Sequence, residues 1–144
     1  MKQAKNLLDK KGRDVWYVNP DSTVLDAIKM MAEKRVGALL VMNGPELCGV
    51  FSERDYARKV VLKGISSSDT PVRHIMTSEV VVAKPDNTIE ECMSLMTEKR
   101  VRHLPVMEDN EVAGVLSIGD LVKSIIEDQQ FKIEQLENYI TTGY

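Results

Sequence analysis

The chain carries one sequence pattern twice, and this duplication limits the folds that it can adopt. Residues 15–56 align with residues 80–121 without a gap after a shift of 65 positions, and Glu-Lys-Arg-Val at residues 33–36 recurs unchanged at residues 98–101. Identical pairs at equivalent positions include Pro20/Pro85, Asp21/Asp86, Thr23/Thr88, Gly49/Gly114, Ser52/Ser117 and Asp55/Asp120. Duplicated units fold into similar halves, and clefts are common ligand sites. We therefore expect two like halves around a pseudo-two-fold axis, with related clefts between them.

Length and charge exclude several classes of protein. A chain of 144 residues suits one compact domain or two small fused ones, and a net charge of −3 disfavours a broad basic surface for nucleic acid. No apolar stretch reaches the length of a membrane span, and no apolar signal segment follows Met1. Cys48 and Cys92 lie at non-equivalent positions without metal-ligand spacing. They indicate reduced thiols in a cytoplasmic protein, with a redox role as the alternative.

Hydrophobic periodicity predicts strand, helix, strand, strand, helix in each repeat. In the first copy these elements are predicted at residues 15–18, 23–32, 36–42, 47–52 and 53–64. In the second copy they are predicted at residues 80–83, 88–98, 101–107, 112–117 and from residue 119. A short helix at residues 3–9, ended by Gly12, precedes the first copy.

The predicted domain boundaries follow the repeats. Residues 1–64 form the first repeat with its N-terminal helix, residues 65–78 a polar linker and lead-in, residues 79–127 the second repeat, and residues 128–144 a C-terminal helical extension. The extension continues an apolar helical stripe to Ile140 and has no counterpart in the first copy. It either folds back on its own domain or forms a dimer contact, and the sequence favours neither.

The motif that closes each copy is the strongest signal for a binding site. Gly-Val-Phe-Ser-x-x-Asp at residues 49–55 is repeated as Gly-Val-Leu-Ser-x-x-Asp at residues 114–120, with the serine ending a strand and the aspartate opening a helix. The N–H groups of a helix N-terminus attract anions, and a carboxylate can accept two hydrogen bonds from the cis-diol of a ribose. The alternative is an ordinary helix N-cap, because serine followed by an acidic residue at the third position is also a capping arrangement.

Residues for catalysis are few. The sequence lacks a nucleophile elbow, a Gly-rich phosphate loop and a His-Glu-x-x-His motif. Glu53 and Asp55 form the only paired carboxylates near a motif, and a negatively charged first turn of a helix explains them as well. The sequence therefore indicates a protein without catalytic residues, without a metal site and without a catalytic cofactor.

The repeated pattern resembles a tandem pair of cystathionine-β-synthase (CBS) domains, also called a Bateman module. The likeness covers residues 3–127, and the phrases Val-Arg-His-Leu-Pro-Val at residues 101–106 and Ile-Met-Thr at residues 75–77 are similar to that family. The ending at residues 136–144 is similar to stand-alone CBS-pair proteins of bacteria, which have relatives in plant organelles. The resemblance implies an α/β fold of two CBS repeats, assembled as a disc-like homodimer.

The resemblance implies one ligand site closed by the second copy of the motif. In this site Asp120 would bind the ribose hydroxyls and Ser117 would face ribose or phosphate. Arg102 and His103 would contact phosphate, and Thr23, which opens the first helix of the opposite repeat, would complete the site.

The resemblance implies a weaker, related site in the first copy. Its candidate residues are Ser52, Asp55 and Thr88, and Thr77 is a further candidate that is not assigned to either site. Gly37 and Ala38 stand where the second copy has its Arg-His pair, so they supply no charge. Arg54 and Arg58, one helical turn apart, either replace that charge or form a solvated face. We therefore expect the cleft closed by the second motif to be the better site.

The resemblance implies a sensor of adenosine nucleotides that signals to an unidentified partner protein. AMP is the first candidate, with ADP and ATP in the same class, and NAD is the second. Trp16 and Tyr17 lie where the family's first strand flanks adenine, although a tryptophan in a strand is more often a core residue. The alternatives are a ligand-free structural interaction module and, less favoured, a nucleotide-processing enzyme. We expect a cytoplasmic homodimer that binds neither nucleic acid nor membrane.

Overall fold

The computed structural model describes residues 1–142, which form two compact units. The first-repeat unit contains residues 14–80 together with residues 109–112. The second-repeat unit contains residues 1–13, 81–108 and those from 113 onwards. In chain order the elements are α1 (Ala4–Lys11), β1 (Tyr17–Val18), α2 (Val24–Lys34), β2 (Ala38–Asn43), β3 (Glu46–Ser52), α3 (Glu53–Asp55), α4 (Ile89–Lys99), β4 (His103–Glu108), β5 (Glu111–Ser117) and α5 (Ile118–Thr142).

The first-repeat unit is built on a three-stranded sheet in the order β1-β2-β3. β1 runs parallel to β2, and β2 pairs with β3 in an antiparallel hairpin whose register shifts between Val41 and Met42. The turn between β2 and β3 uses Gly44 at φ 60°, a conformation that glycine adopts without strain. The apolar face of α2 packs on this sheet, and the fully buried Phe51 and Val24 lie in its core. This packing fixes the end of β3, where the first motif lies.

The second-repeat unit has a comparable core around the β4–β5 hairpin. Its helix α4 begins with a capping box, in which Thr88 Oγ1 accepts from the Glu91 N–H and Glu91 Oε1 accepts from the Thr88 N–H. The helix ends at Arg100 in the left-handed conformation, as α2 does at Arg35, both with φ 56°. The repeated Glu-Lys-Arg-Val sequence therefore marks the same helix C-terminus in both copies.

The first predicted strand of each copy is shorter in the structure than in the prediction. β1 has only two residues, and the segment predicted at residues 80–83 forms only a parallel bridge between Ala83 and Val106. Both segments run into a proline two residues further on, at Pro20 and Pro85. A proline cannot donate a hydrogen bond to the sheet, which prevents a continuation of either strand. Both segments still pair at their predicted ends, Val18 and Ala83, so the residues outside the sheet are the first ones of each prediction.

The helix predicted at residues 53–64 is not a regular α-helix. After α3 the chain forms a π-helix at Tyr56–Val61, in which the Leu62 N–H donates to the Ala57 carbonyl at 3.1 Å. A turn at residues 62–64 follows the π-helix and ends at Gly64, which has φ 64°. π-Helical turns in proteins occur frequently at functional sites, and this one follows the first motif directly.

The segments that precede the two repeats are exchanged between them. Helix α1, predicted to belong to the domain of residues 1–64, instead contributes Leu7 and Leu8 to the core of the second-repeat unit. The lead-in after the linker contributes Val72 and Ile75 to the core of the first-repeat unit. Each repeat is thus completed by the segment that stands before the other one in the sequence.

Each exchanged segment approaches the glycine of a motif. A Cβ atom on Gly49 would lie 2.6 Å from Met76 Sδ and 2.9 Å from the Thr77 carbonyl oxygen, and one on Gly114 would lie 2.6 Å from Leu8 Cδ2. Thr77 also pairs with Val50 through two backbone hydrogen bonds of 2.9 and 3.0 Å. The motif therefore needs a glycine because another segment packs against that position.

Helix α5 extends to Thr142 and carries an exposed apolar stripe. The stripe has spacings of four, seven, three and four residues, with side chains 40–76% exposed at Val122, Ile126, Ile133, Leu136 and Ile140. A helix folded back on its own domain would bury these side chains, so that alternative is not the arrangement in the structure. Gly143 and Tyr144, the end of the sequence phrase at residues 136–144, lie outside the described residues. Within residues 1–142 no helix is both long enough and apolar enough to cross a bilayer.

We predict that Gly49→Ala lowers the free energy of unfolding by about 1–3 kcal/mol, the usual cost of overpacking. Its Cβ meets the Thr77 backbone, whereas the Cβ of Gly114→Ala meets only side-chain atoms of Leu8, which can adjust more readily than a backbone that is paired with Val50. Gly114→Ala should therefore cost less. Urea unfolding of both variants measures the difference, and equal losses would contradict the backbone clash.

Candidate functional site

The second motif forms a reciprocal cap at the junction of β5 and α5. The Ser117 N–H donates to Asp120 Oδ2 at 2.8 Å, and the Asp120 N–H donates to Ser117 Oγ at 3.2 Å. This geometry is the capping arrangement that the sequence left open as an alternative to ligand binding. It also fixes the carboxylate at the positive end of the helix dipole, with 25% of the side chain exposed. Capping and ligand binding are therefore compatible at this residue.

Lys11 at the end of α1 is the second partner of this carboxylate. Its ammonium group donates to Asp120 Oδ2 and to the carbonyl oxygen of Val115, both at 2.6 Å. Among the described residues no hydrogen bond reaches the other carboxylate oxygen, Oδ1 of Asp120. Oδ2 of Asp120 is thus engaged by the protein, while Oδ1 has no hydrogen-bond partner among residues 1–142 in a side chain that is 25% exposed.

The charges around Asp120 set its protonation and that of His103. Burial raises the pKa of the Asp120 carboxyl, but the hydrogen bonds from Lys11 and Ser117 outweigh it and leave the pKa below its usual value. Burial lowers the pKa of His103, and the positive charges of Lys11 and Arg102 lower it further. Near neutral pH the site therefore holds an ionised aspartate beside a neutral histidine.

The backbone brings Arg102 and His103 next to the motif. The Ile118 N–H, the first of α5, donates to the Arg102 carbonyl at 2.9 Å. Arg102 itself is exposed, and His103 is half-buried at the start of β4. The structure thus gathers four predicted residues, Arg102, His103, Ser117 and Asp120, at the start of one helix.

The first motif has the same cap but a closed carboxylate. Asp55 Oδ2 accepts from the N–H and the hydroxyl of Ser52 at 3.1 and 3.2 Å. The Thr77 hydroxyl donates to Oδ1 at 3.1 Å, and Lys59 forms an ion pair with Oδ1 at 3.1 Å. Asp55 is only 8% exposed. Both of its oxygens are used inside the first-repeat unit, so this aspartate offers a ligand far less than its counterpart does.

Two more predicted residues act as helix caps. Thr23 Oγ1 accepts from the Asp26 N–H at 3.1 Å, and Thr88 Oγ1 accepts from the Glu91 N–H at 3.1 Å. Thr23 and Asp120 belong to different units, as do Thr88 and Asp55, so their sharing of a site stays a prediction.

The remaining candidates lie at the surface of the first-repeat unit. Arg58 is exposed in the π-helix and Arg54 is half-exposed, and Lys59 forms an ion pair with Asp55. Trp16 is 39% exposed and lies under the Lys34 ammonium, which is 4.5 Å from the ring centroid. Trp16 is therefore not a core residue, and the exposed Tyr17 beside it is also accessible.

Sequence reasoning missed the two lysines that contact the motif carboxylates. Lys59 could have been found, because a lysine four residues after an aspartate on a helix is a common ion pair. Lys11 gave no such signal, since its partner Asp120 is distant in the sequence. Its contact depends on the packing of α1 in the second-repeat unit.

Comparison with known proteins identifies the family. A sequence profile of the CBS domain matches residues 10–62 and 72–127. The chain belongs to the CBS-domain family. The resemblance drawn from the motifs is thus confirmed, and so is the α/β fold of two CBS repeats.

Several CBS proteins are similar over nearly the whole chain. A solved structure from Burkholderia ambifaria, described as a signal-transduction protein with CBS domains, is 49% identical with a TM-score of 0.85, covering 89% of this chain and 96% of that one. The mitochondrial CBS domain-containing protein CBSX3 of Arabidopsis thaliana is 37% identical over 148 residues, 96% of this chain and 72% of that protein. The CBS pair of protein MJ0100, solved with 5′-methylthioadenosine and S-adenosyl-L-methionine, is 18% identical with a TM-score of 0.79, covering 89% of this chain and 98% of that one. At that identity the likeness shows the fold alone.

We predict that His103 makes stability depend on pH. Because its pKa is lowered by folding, the unfolded chain binds a proton near pH 6.5 before the folded chain does. The free energy of unfolding should therefore fall as pH drops through about 6.5, and His103→Gln should lose that part of the decrease. Urea unfolding at pH 7.5 and 5.5 measures it. An identical pH dependence in the variant and the wild type would contradict the assignment.

Proposed function

We propose that this CBS pair is a regulatory module that binds an adenosine nucleotide and signals its ligand state to a partner protein. The observation that carries the proposal is the open Oδ1 of Asp120, an ionised and partly exposed carboxylate at the start of α5. A carboxylate can accept hydrogen bonds from both hydroxyls of a ribose. The closed carboxylate of Asp55 supports the expected asymmetry, with the second repeat holding the principal site.

Binding of a diol to Asp120 would change the position of Lys11. The first hydroxyl can bond to Oδ1 at once, but the second needs Oδ2, where the Lys11 ammonium now lies at 2.6 Å. The diol therefore competes with Lys11, whose ammonium then becomes available to the anionic part of the ligand. Arg102 adds a second cation, and neutral His103 can still donate one N–H to phosphate.

These cations favour a phosphorylated ligand. We propose AMP first, with ADP and ATP in the same class, and NAD second. The adenosine ligands in the MJ0100 structure support adenosine recognition in the family, although one of them is a sulfonium compound without phosphate. In this proposal Thr23 completes the site from the first repeat.

The signal would pass by a shift between conformations. A ligand that binds one arrangement of the chain more tightly shifts the population towards it, and a partner protein can recognise the result. The movement of Lys11 gives this shift a physical origin, because Lys11 is the last residue of α1 and α1 packs in the core beside the second motif. That such a partner protein exists, and that the chain itself is not an enzyme, are parts of this proposal.

We propose that the protein is a homodimer that uses the α5 stripe. The spacings of four, seven, three and four residues from Val122 to Ile140 keep these side chains on one face, as in a helix that packs along a second helix. A second copy of the chain presents the same stripe and can bury it symmetrically. Hexameric assembly is reported for CBS-CP12, a cyanobacterial protein 28% identical with a TM-score of 0.76. A cytoplasmic location stays a prediction, since one relative is mitochondrial.

A ligand-free interaction module is the second candidate function. The fully engaged Asp55 favours it, because the first repeat shows that this motif can serve the fold alone. Melting temperatures with and without millimolar nucleotide separate the two, since only a sensor is stabilised by its ligand. Turnover assays with AMP, ATP and NAD test the enzyme alternative.

We predict that Asp120→Ala weakens binding of AMP by about 1.5–3 kcal/mol, roughly 10- to 150-fold, because it removes the charged acceptor of the diol. Calorimetric titration of the full chain measures the affinity. Asp109→Asn, in the exposed β4–β5 turn, is the control, because it removes one negative charge and asparagine tolerates the positive φ of 52°. Circular dichroism checks that both variants are folded. Unchanged affinity in folded Asp120→Ala would refute the assigned site.

We predict that Ile133→Glu converts the dimer into monomers, because it places a charge within the stripe. Phe131→Glu is the matched control: Phe131 is also exposed, at 62%, but lies off the stripe on the same helix. Sedimentation velocity of the two variants at equal concentration provides the measurement. A monomeric wild type, or the same effect from both substitutions, would contradict the role of the stripe.

A further inference from the structure

The second-repeat unit contains a cavity that extends well beyond the residues of the proposed nucleotide site. It has a volume of about 410 Å³ and lies between the N-terminal segment and α5. Its lining includes Lys2, Asn6 and Lys10 on one side and Lys123, Ser124 and Glu127 on the other, with Lys11 and Asp120 also in the wall. The size is within the range of pockets that bind small molecules.

The charge of the lining is positive. Four lysines face two carboxylates, those of Asp120 and Glu127, around one cavity. The hydrogen bond from Lys10 lowers the pKa of Glu127, and the charges of Lys123 and Lys2 lower it further. Three ammonium groups are thus close enough to act on a single carboxylate, and together they favour an anion.

The lining also contains a buried polar group without a partner. Ser124 is 5% exposed, and among residues 1–142 its hydroxyl oxygen forms no hydrogen bond. Buried hydroxyls are almost always hydrogen-bonded, and rotation of this side chain towards the cavity would give the hydroxyl a partner in a bound ligand. The equivalent residue in the first repeat, after the shift of 65 positions, is Lys59, whose ammonium pairs with Asp55. The second repeat replaces that long cation with a short hydroxyl, which leaves both space and a donor.

The lysines can be recruited by an anion at little cost. Lys10 pairs with Glu127 at 2.6 Å and Lys2 with Asp128 at 2.8 Å, and the lysine side chains of these pairs are 66% and 39% exposed. Exposed ion pairs of this kind contribute little to stability. A phosphate group, with two negative charges and three acceptor oxygens, matches several ammonium groups and a hydroxyl better than a single carboxylate does.

We propose that this cavity is a second ligand site of the protein, which takes a small molecule carrying a phosphate monoester. The phosphate lies among Lys10, Lys123 and Ser124, and the body of the molecule lies towards Leu7 and Asn6. The cavity shares Lys11 and Asp120 with the proposed nucleotide site. The phosphate contacts of Lys10, Lys123 and Ser124 do not require the ribose contact, and the adenosine measurement below separates the two proposals.

The test is a calorimetric titration of the full chain with glycerol phosphate and with inorganic phosphate at constant ionic strength. We expect saturable binding of glycerol phosphate, weakened at least tenfold in Lys10→Gln/Lys123→Gln. The control Lys29→Gln/Lys63→Gln removes the same charge from exposed positions of the first-repeat unit and should leave the affinity unchanged. Non-saturable heats, or equal losses in both double variants, would overturn the proposal.

Two further arms locate the phosphate and the body of the ligand. Ser124→Lys copies the first repeat and should abolish binding by filling the cavity, while Ser124→Ala should weaken it and leave the melting temperature unchanged or higher. Full affinity in folded Ser124→Lys would overturn the proposal.

Glycerol phosphate should bind more tightly than inorganic phosphate, and equal affinities would overturn the monoester assignment in favour of the free ion. Adenosine, which lacks phosphate, should bind equally to the wild type and to Lys10→Gln/Lys123→Gln, so that failure of the nucleotide proposal is read separately.

Discussion

The structure depends on the hydrogen-bonded cap between a serine that ends a strand and an aspartate in the first turn of the next helix. In each copy the aspartate accepts from the serine N–H and its own N–H donates to the serine hydroxyl. This exchange satisfies two backbone donors at a helix terminus and fixes the carboxylate where the helix dipole stabilises its charge. This junction positions the strand before the cap and the helix after the cap. It also positions the glycine against which a neighbouring segment packs.

The same cap has a different role in each repeat because its surroundings differ. Around Asp55, Thr77 and Lys59 complete the coordination of both oxygens, and the residue is buried. Around Asp120 a single flexible lysine binds one oxygen, and the side chain remains partly exposed. Duplication thus produced two equivalent junctions. The protein uses both oxygens of the first aspartate, whereas the second aspartate can still accept a hydrogen bond. The difference lies in the neighbouring residues. Thr77 and Lys11 come from the exchanged segments, and Lys59 lies one helical turn after Asp55.

Local and repeated features could be predicted from the sequence, whereas contacts between distant segments could not. The order of the elements and the caps at Thr23 and Thr88 follow from periodicity and capping residues, which act over a few positions. The π-helix after Asp55 and the short first strands depend on tertiary packing that periodicity does not contain. The assignment of α1 to the second repeat and the contact of Lys11 with Asp120 had no local signal at all. Of the candidate site, the motif residues, Arg102 and His103 were predictable, Lys59 was missed despite its local signal, and Lys11 could not be predicted.

The exchange of segments has a consequence for how the chain can be divided. Residues 65–70, between the repeats, are largely exposed and form a natural place for proteolytic cleavage. A cut there leaves an N-terminal fragment whose first helix belongs in the core of the other fragment, and a C-terminal fragment that carries Val72 and Ile75 of the first core. Neither fragment holds all of either core, so neither is a folding unit by itself. A chain cleaved there would stay associated without a covalent link. A single repeat expressed in isolation would lack the segment that completes its core.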